Sequence, residues 1–341
     1  MKRINLLVGE NSSGKSAFLE SIFISSGSLA PNVVFQMRGL RKMGNQIVVP
    51  VDAPSYRGIW EDLFFNFQQE KKISIKASGN PSSDSRSLSI QYVADAGPQE
   101  LPFGKQSSAS GDNSQQQVGG MPQIEFTWKR ANFPETKAKP RVSPTGWQFD
   151  VSRVDLFPCV WFSPGATETP DENAKRFSEL DKTGEASTVL EVLKKEFPFI
   201  LDLSIDYHAG IPMMFAKVQG KPKKMPVPLV SDGINRLLGI AVALGNFRGG
   251  TILIDQLEDG FHHRLLPSIW KSLYLLAKEF NVQLFVSTHS AECIAAMKPI
   301  LNGNEEDFRL LRATREEVGC TVDSLPGKYL DSALEQNFEV R

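Results

Sequence analysis

The chain is poor in cysteine, with Cys159, Cys293 and Cys320 the only three among 341 residues. They form no CxxC and no Cys/His ligand spacing, which excludes a disulfide framework or a structural zinc site. Reduced thiols of this kind are expected in a cytoplasmic protein. Long apolar runs are also missing. The most apolar stretch, GIAVALG (239–245), falls far short of the roughly 20 residues of a membrane span. The N-terminus, MKRINLLVGEN, lacks the extended apolar region and small-residue cleavage site of a signal peptide. Charge of one sign is not in excess either: the net charge is -1, which argues against a surface that is basic throughout. Sustained heptads and internal repeats are absent. What remains, 41% hydrophobic and 23% charged residues, is the composition of an ordinary soluble globular protein.

Patterning along the chain gives an α/β reading. INLLV (4–8) is a buried strand, and Phe18, Leu19, Ile22 and Phe23 recur at helical spacing behind it. Residues 31–58 carry no clear pattern; 59–69 predict a short amphipathic helix. Alternating strands are expected at 72–78, 87–93, 123–129 and 146–151. The Ser/Gln/Gly-rich stretch 104–120 between them has little to bury and is expected to be a mobile surface loop. Residues 158–163 form a further strand, 172–197 a helix, and 200–207 and 212–218 a strand pair. Ser231 or Asp232 can cap a helix running to about Phe247. Strand 251–255, helix 263–280, strand 282–287, a helix opening at Ser290, and a last strand pair and helix complete the chain. Crossover helices between strands predict a mostly parallel core sheet, with 31–150 as an inserted antiparallel β lobe.

One motif carries chemistry. Gly9-Glu10-Asn11-Ser12-Ser13-Gly14-Lys15-Ser16 fits the P-loop pattern G-x-x-x-x-G-K-[ST], after a strand and at a helix start. The glycines let backbone N–H groups, including those of Asn11, Ser12, Ser13 and Ala17, turn toward phosphate oxygens at the positive helix end. Lys15 adds a charge at the β- and γ-phosphates, and the Ser16 hydroxyl can ligate Mg2+. Asp255, closing the apolar strand Thr-Ile-Leu-Ile, is the expected second magnesium ligand. The implied ligands are ATP and Mg2+.

The order of motifs narrows the class. PLVSDGINR (228–236) puts a Ser-x-Gly step and an arginine at a helix start ahead of the Asp255 strand, and Ser287-Thr288-His289-Ser290 puts a histidine after the next strand. This order resembles the ABC-type ATPases. GENSSGKSAFLE, SDGINRLL in place of LSGGQ, DQLEDGFHH and the closing FEVR resemble the stand-alone ABC-type AAA-family ATPases related to the OLD proteins, over most of residues 3–341. The resemblance is weakest over 31–150. The stretch from Ser16 to Ser231 is short and lacks heptads, which leaves no room for a long coiled-coil arm.

The resemblance implies one P-loop head spanning 1–341, with a helical signature lobe at 158–250 and a Walker B and histidine core at 251–341. Two copies would sandwich the nucleotide, as a homodimer or within a larger ring. Lys15, Ser16, Asp255 and His289 would act in cis, while Ser231, Asp232, Gly233, Asn235 and Arg236 reach across from the partner. Members of the group, such as the ATPases of PARIS, Septu-like and retron systems, control a nuclease or toxin in anti-phage defence. The stretch after the Ser290 helix start is too short for the Toprim nuclease of many OLD proteins, so an effector is expected as a separate chain. A phage protein or DNA would be the trigger. An ATP-gated DNA-repair head and a pseudo-ATPase scaffold are the alternatives.

Two features depart from the group. The β-hairpin usual before the P-loop strand is not seen, which leaves the adenine contacts unassigned. Gln256 stands where a glutamate normally positions water and accepts its proton. An amide can bond the water but cannot take the proton, so hydrolysis would be slow or trapped. Three readings stay open: an engineered exchange that holds ATP, a natural slow switch, or a base supplied by Glu258. The acidic and histidine cluster Glu258, Asp259, His262 and His263 lacks a nuclease frame and is better read as a solvated helix start. The basic run Lys217, Lys221, Lys223 and Lys224 reads as a hairpin turn, the five tryptophans as core, and neither Gln36 nor Gln91 stands out as the glutamine that senses nucleotide.

Overall fold

The computed structural model describes residues 1–26, 34, 37, 53–78, 85–93, 123–143, 146–149, 158–164 and 169–335. The expected loop at 104–120, and Gln36, lie outside them. By contact density the chain divides into one unit of residues 1–23 and 158–341 and a second of residues 24–157.

Strand β1 (Ile4–Val8) is buried along its whole length, and α1 (Lys15–Ser26) follows the phosphate loop. The second unit contains α2 (Ala53–Trp60) and holds β2 (Ile73–Ala77), β3 (Arg86–Val93), β4 (Gln123–Arg130) and β5 (Thr136–Ala138) in one antiparallel sheet. A two-stranded pair, β6 (Pro140–Ser143) and β7 (Gly146–Phe149), completes it. Trp60 of α2 packs edge-on against Phe126 of β4 with ring centroids 5.9 Å apart, and the Tyr56 hydroxyl donates to the Pro140 carbonyl at 3.1 Å. The helix expected over 59–69 is instead the end of α2 and two 3-10 turns. Asn66 and Phe67 sit at φ 51° and φ 57°, outside the helical region, and Phe65 and Phe67 are exposed.

The chain returns to the first unit at β8 (Cys159–Phe162). Helices α3 (Pro170–Lys182) and α4 (Ala186–Glu196) replace the single helix expected over 172–197; the break falls at Thr183-Gly184. Next come β9 (Ile200–His208), β10 (Ile211–Val218) and the short β11 (Met225–Pro226), an antiparallel sheet. Helix α5 (Asp232–Asn246) is buried on all sides. Its glycines let neighbours close in: a Cβ at Gly245 would lie 2.6 Å from Leu180 of α3. Then follow β12 (Thr251–Ile254), α6 (Leu266–Glu279), β13 (Gln283–Ser287), the short α7 (Ala291–Ala295) and α8 (Lys298–Leu301), β14 (Phe308–Glu316), β15 (Gly319–Pro326) and α9 (Gly327–Glu335).

Six of these strands form one sheet in the order β15-β14-β1-β13-β12-β8. Every pairing in it is parallel except β14 with β15. The fold is α/β, with a mostly parallel core sheet and separate antiparallel sheets. Register decides where chemistry can sit: Leu7 is level with Ser287, and Ile254 with both Val286 and Phe162. The loops after β1, β12 and β13 therefore leave the same carboxyl edge, where ligands of parallel α/β sheets bind.

Candidate nucleotide-binding site

The loop after β1 is shaped by positive φ. Gly9 lies at φ +146°, and a Cβ there would stand 2.3 Å from the Ala313 carbonyl oxygen of β14. Only glycine fits. Gly14, at φ +93°, is covered by Cys320, whose Cβ and Sγ would each be 2.9 Å from a Cβ. Ser12 takes the left-handed region at φ 61°, and Ser13 N–H closes a turn on Glu10 O at 3.2 Å. Asn11, Ser12, Ser16 and Ala17 are exposed or half-buried at the loop, whereas Ser13 is buried. The Ser13 hydroxyl has no hydrogen-bond partner among the described residues.

Lys15 is 8% exposed and donates from Nζ to the Gly9 and Glu10 carbonyls, each at 2.7 Å. Burial pulls its ammonium below the usual lysine pKa, and the Asp255 and Glu258 carboxylates oppose that shift. A buried cation spending its donors on loop carbonyls beside a sealed, unpartnered hydroxyl is a cradle for an anion. Ser16 Oγ donates to Asp255 Oδ2 at 2.8 Å. These two oxygens fit magnesium, a hard cation that takes few protein ligands and fills its shell with phosphate oxygens and water. Among the described residues no group of three or more His, Cys, Asp or Glu could cage a metal without such help.

Ser287 ties the Asp255 turn down. Its buried hydroxyl donates to Asp255 Oδ1 and accepts the Gln256 N–H at 2.9 Å. Asp255 N–H continues the sheet to Phe162 O at 2.8 Å, and Thr288 N–H reaches Leu7 O at 3.1 Å. Gln256 stands at φ 52°, a strained region for a side-chain-bearing residue that the surrounding bonds enforce. His289 follows on the same edge. Its backbone N–H donates to Glu258 Oε1 at 3.0 Å, and its Nδ1 lies 3.1 Å from the same oxygen.

Residues 166–295 match the family model described as AAA domain, putative AbiEii toxin, Type IV TA system. The match runs through α5, Asp255 and His289. The chain is also similar to an ATP/GTP phosphatase of Helicobacter pylori, at 23% identity over 370 aligned residues that cover 99% of this chain and 92% of that protein. Similar solved structures include an SMC head bound to the C-terminal winged-helix domain of ScpA, at 13% identity and a TM-score of 0.48, covering 98% of this chain and 93% of the other. An SMC head with an extended coiled coil bound to the C-terminal domain of ScpA, derived from Pyrococcus furiosus, gives 12% identity and a TM-score of 0.46, covering 99% and 94%. No helix among the described residues is long and apolar enough to cross a membrane.

The carboxyl edge thus gathers Gly9 to Ala17, Asp255, Gln256 and His289. The signature stretch divides. Ser231 is the cap, accepting Ile234 N–H at 3.3 Å, and Ser231 and Asp232 are exposed with Asn235 half-buried. Gly233 is buried, and a Cβ there would meet Gly260 O at 2.9 Å. Arg236, expected to reach across to a partner, is held within its own chain in this structure. It is 5% exposed, and its Nη2 donates to the Asp255 and Gln256 carbonyls of its own chain, each at 3.4 Å. Burial lowers its pKa, while Asp259, Glu258 and Asp255 act to hold the charge. In turn burial raises the Asp259 carboxyl, a shift that Arg236 opposes. Sequence reasoning assigned no role to Ser287; a serine at a strand end is too common to signal one.

Proposed function

We propose that this chain is a magnesium-dependent ATPase of the ABC type that works as a switch between nucleotide-sandwiched copies of itself. The observation that carries this reading is the bonded pair Ser16 and Asp255, 2.8 Å apart, beside the buried Lys15 of a phosphate loop. On binding, Lys15 would exchange the Gly9 and Glu10 carbonyls for β- and γ-phosphate oxygens, joined by the Ser13 hydroxyl and the loop N–H groups. Ser16 and Asp255 would hold magnesium, which neutralises phosphate charge. The exposed Ser231 and Asp232 at the start of α5 suit a second copy's nucleotide, where a helix N-terminus supplies N–H donors to the γ-phosphate. The AAA-domain match and the Helicobacter pylori phosphatase support nucleotide hydrolysis.

The finer role follows the resemblance: control of a separate nuclease or toxin in prokaryotic anti-phage defence, in the cytoplasm, triggered by a phage protein or DNA. Gln256 suits a switch that holds ATP longer than it cleaves it, since losing a proton acceptor slows chemistry while leaving binding intact. The test is fluorescent-ATP binding, turnover and solution mass with and without MgATP, for the chain and for Gln256→Glu and Lys15→Ala. Expected are MgATP-dependent assembly, faster turnover with Gln256→Glu, and no binding with Lys15→Ala. Binding that ignores Lys15, or an unchanged mass, refutes the switch.

A further inference from the structure

The geometry points to His289 as the proton acceptor of hydrolysis in this chain, with Glu258 as the residue that positions it, the two replacing the carboxylate missing at Gln256. The inference rests on the ATPase reading and adds the base to it.

Glu258 follows Asp255 closely and sits in a turn closed by Asp259 N–H on Gln256 O and Phe261 N–H on Glu258 O, both at 3.1 Å. That turn carries its carboxylate to the end of β13. There Oε1 meets two groups of one residue, the backbone N–H of His289 at 3.0 Å and the ring Nδ1 at 3.1 Å. A carboxylate oxygen only accepts, so the ring nitrogen facing it carries the proton. The neutral imidazole is then fixed as the Nδ1–H tautomer, and Nε2 is left with its lone pair. The backbone contact fixes the ring's origin and the side-chain contact its orientation.

Exposure decides which of the pair meets water. The Glu258 side chain is 14% exposed, and its Oε2 is sealed from solvent without a partner among the described residues. The His289 side chain is 45% exposed. With one Glu258 oxygen sealed and the other on His289, His289 is the more open of the two to water. The pair also belongs to the phosphate site. The Glu258 charge is felt by Lys15, and Thr288, next to His289, is bonded to Leu7 near the end of β1, which leads into the phosphate loop. Asp255, Asp259 and Arg236 complete the charged surroundings.

In the step, the water oxygen forms a bond to the γ-phosphorus and the bond from that phosphorus to the β–γ bridging oxygen breaks. ADP leaves with the electron pair. The water proton passes to Nε2, and the imidazolium, steadied by Glu258, later returns it to solvent or phosphate. Gln256 can still orient the water through its amide.

The experiment compares the full chain with Glu258→Gln, His289→Asn, the double variant and Gln256→Glu. Fluorescent-ATP binding and thermal melting are measured first, then single-turnover hydrolysis, and the His289 ring nitrogens are followed by 15N NMR without nucleotide. Expected are parental binding, a roughly 100- to 10,000-fold slower step in Glu258→Gln and in His289→Asn, and no further loss in the double, as for groups acting as one unit. The NMR signals should report Nδ1–H in the parent and a tautomer mixture in Glu258→Gln. Adding Gln256→Glu to Glu258→Gln should restore turnover. Absence of ATP binding by the parent overturns the ATPase reading beneath this one. Binding with turnover indifferent to Glu258, losses that multiply in the double, turnover that appears only with Gln256→Glu, or an Nε2–H tautomer in the parent overturns this inference alone.

Discussion

Arg236 offers the sharpest test of how the start of α5 is tied to the nucleotide site. Replacing it by alanine removes the guanidinium bonded to the Asp255 and Gln256 carbonyls, a buried cation whose charge Asp259, Glu258 and Asp255 favour. Breaking a buried ionic group by removing one partner costs about 3–5 kcal/mol. For a unit of this size each kcal/mol moves the melting point by about 2–4 °C. Arg236→Ala should therefore melt about 6–20 °C below the parent in calorimetry at pH 7 without nucleotide. Arg236→Lys should fall between, since a shorter ammonium side chain keeps the charge but not the reach by which Nη2 meets both carbonyls. Asp232→Asn, on the exposed tip, should lose under about 1 kcal/mol. A melt of Arg236→Ala within about 2 °C of the parent, with only MgATP-driven assembly lost, would refute the cis role. Arg236 would then serve a partner copy after all.

Ser287→Ala deletes a hydroxyl that satisfies both Asp255 Oδ1 and the Gln256 N–H. It should cost about 2–4 kcal/mol in urea unfolding, and a loss below about 0.5 kcal/mol would mean the turn relaxes freely. Asp259 is raised by burial, so above the ordinary aspartate range the fold carries a charge it disfavours. Stability from this group falls as pH rises through the unfolded value toward the folded one, and Asp259→Asn should raise the melting point at pH 7 but not at pH 3. The opposite order would show that Arg236 outweighs desolvation. Gly9→Ala places a Cβ 2.3 Å from a backbone oxygen at φ +146°. It should abolish nucleotide binding, with a melting loss exceeding that of Ser13→Ala; retained binding would mean that β14 yields.

The parts of the site that were legible in the sequence are those whose residue types have few other uses. A buried, mostly apolar strand running into G-x-x-x-x-G-K-S points to one arrangement for the backbone, and β1, the loop and α1 follow it. Asp255 closing Thr-Ile-Leu-Ile, a common pattern by itself, was legible only in company with that loop. Helical periodicity failed where no partner surface supported it. Phe65 is 58% exposed and Phe67 66% exposed, so the pattern over 59–69 had no face to bury. Periodicity was uninformative for the opposite reason in α5. That helix is buried on every side, and spacing cannot tell which way Arg236 points when an arginine is assumed to seek water.

Gln256 shows why local chemistry and local conformation have to be read separately. Its N–H is held by Ser287 Oγ and its carbonyl by Arg236, so both hydrogen-bonding groups of its backbone are committed at φ 52°. Neither bond involves the side chain. The turn therefore does not depend on whether an amide or a carboxylate projects from it, and exchange between the two leaves the backbone path as it is. What changes is charge: a glutamate would add a further carboxylate beside Asp255, Glu258 and Asp259, against the cations Lys15 and Arg236. With glutamine the anionic crowding is less, and the remaining carboxylate in contact with an imidazole is Glu258. If basicity lies with the Glu258–His289 pair, as proposed, the site would bind ATP at full strength and cleave it slowly, the behaviour a nucleotide-held switch requires.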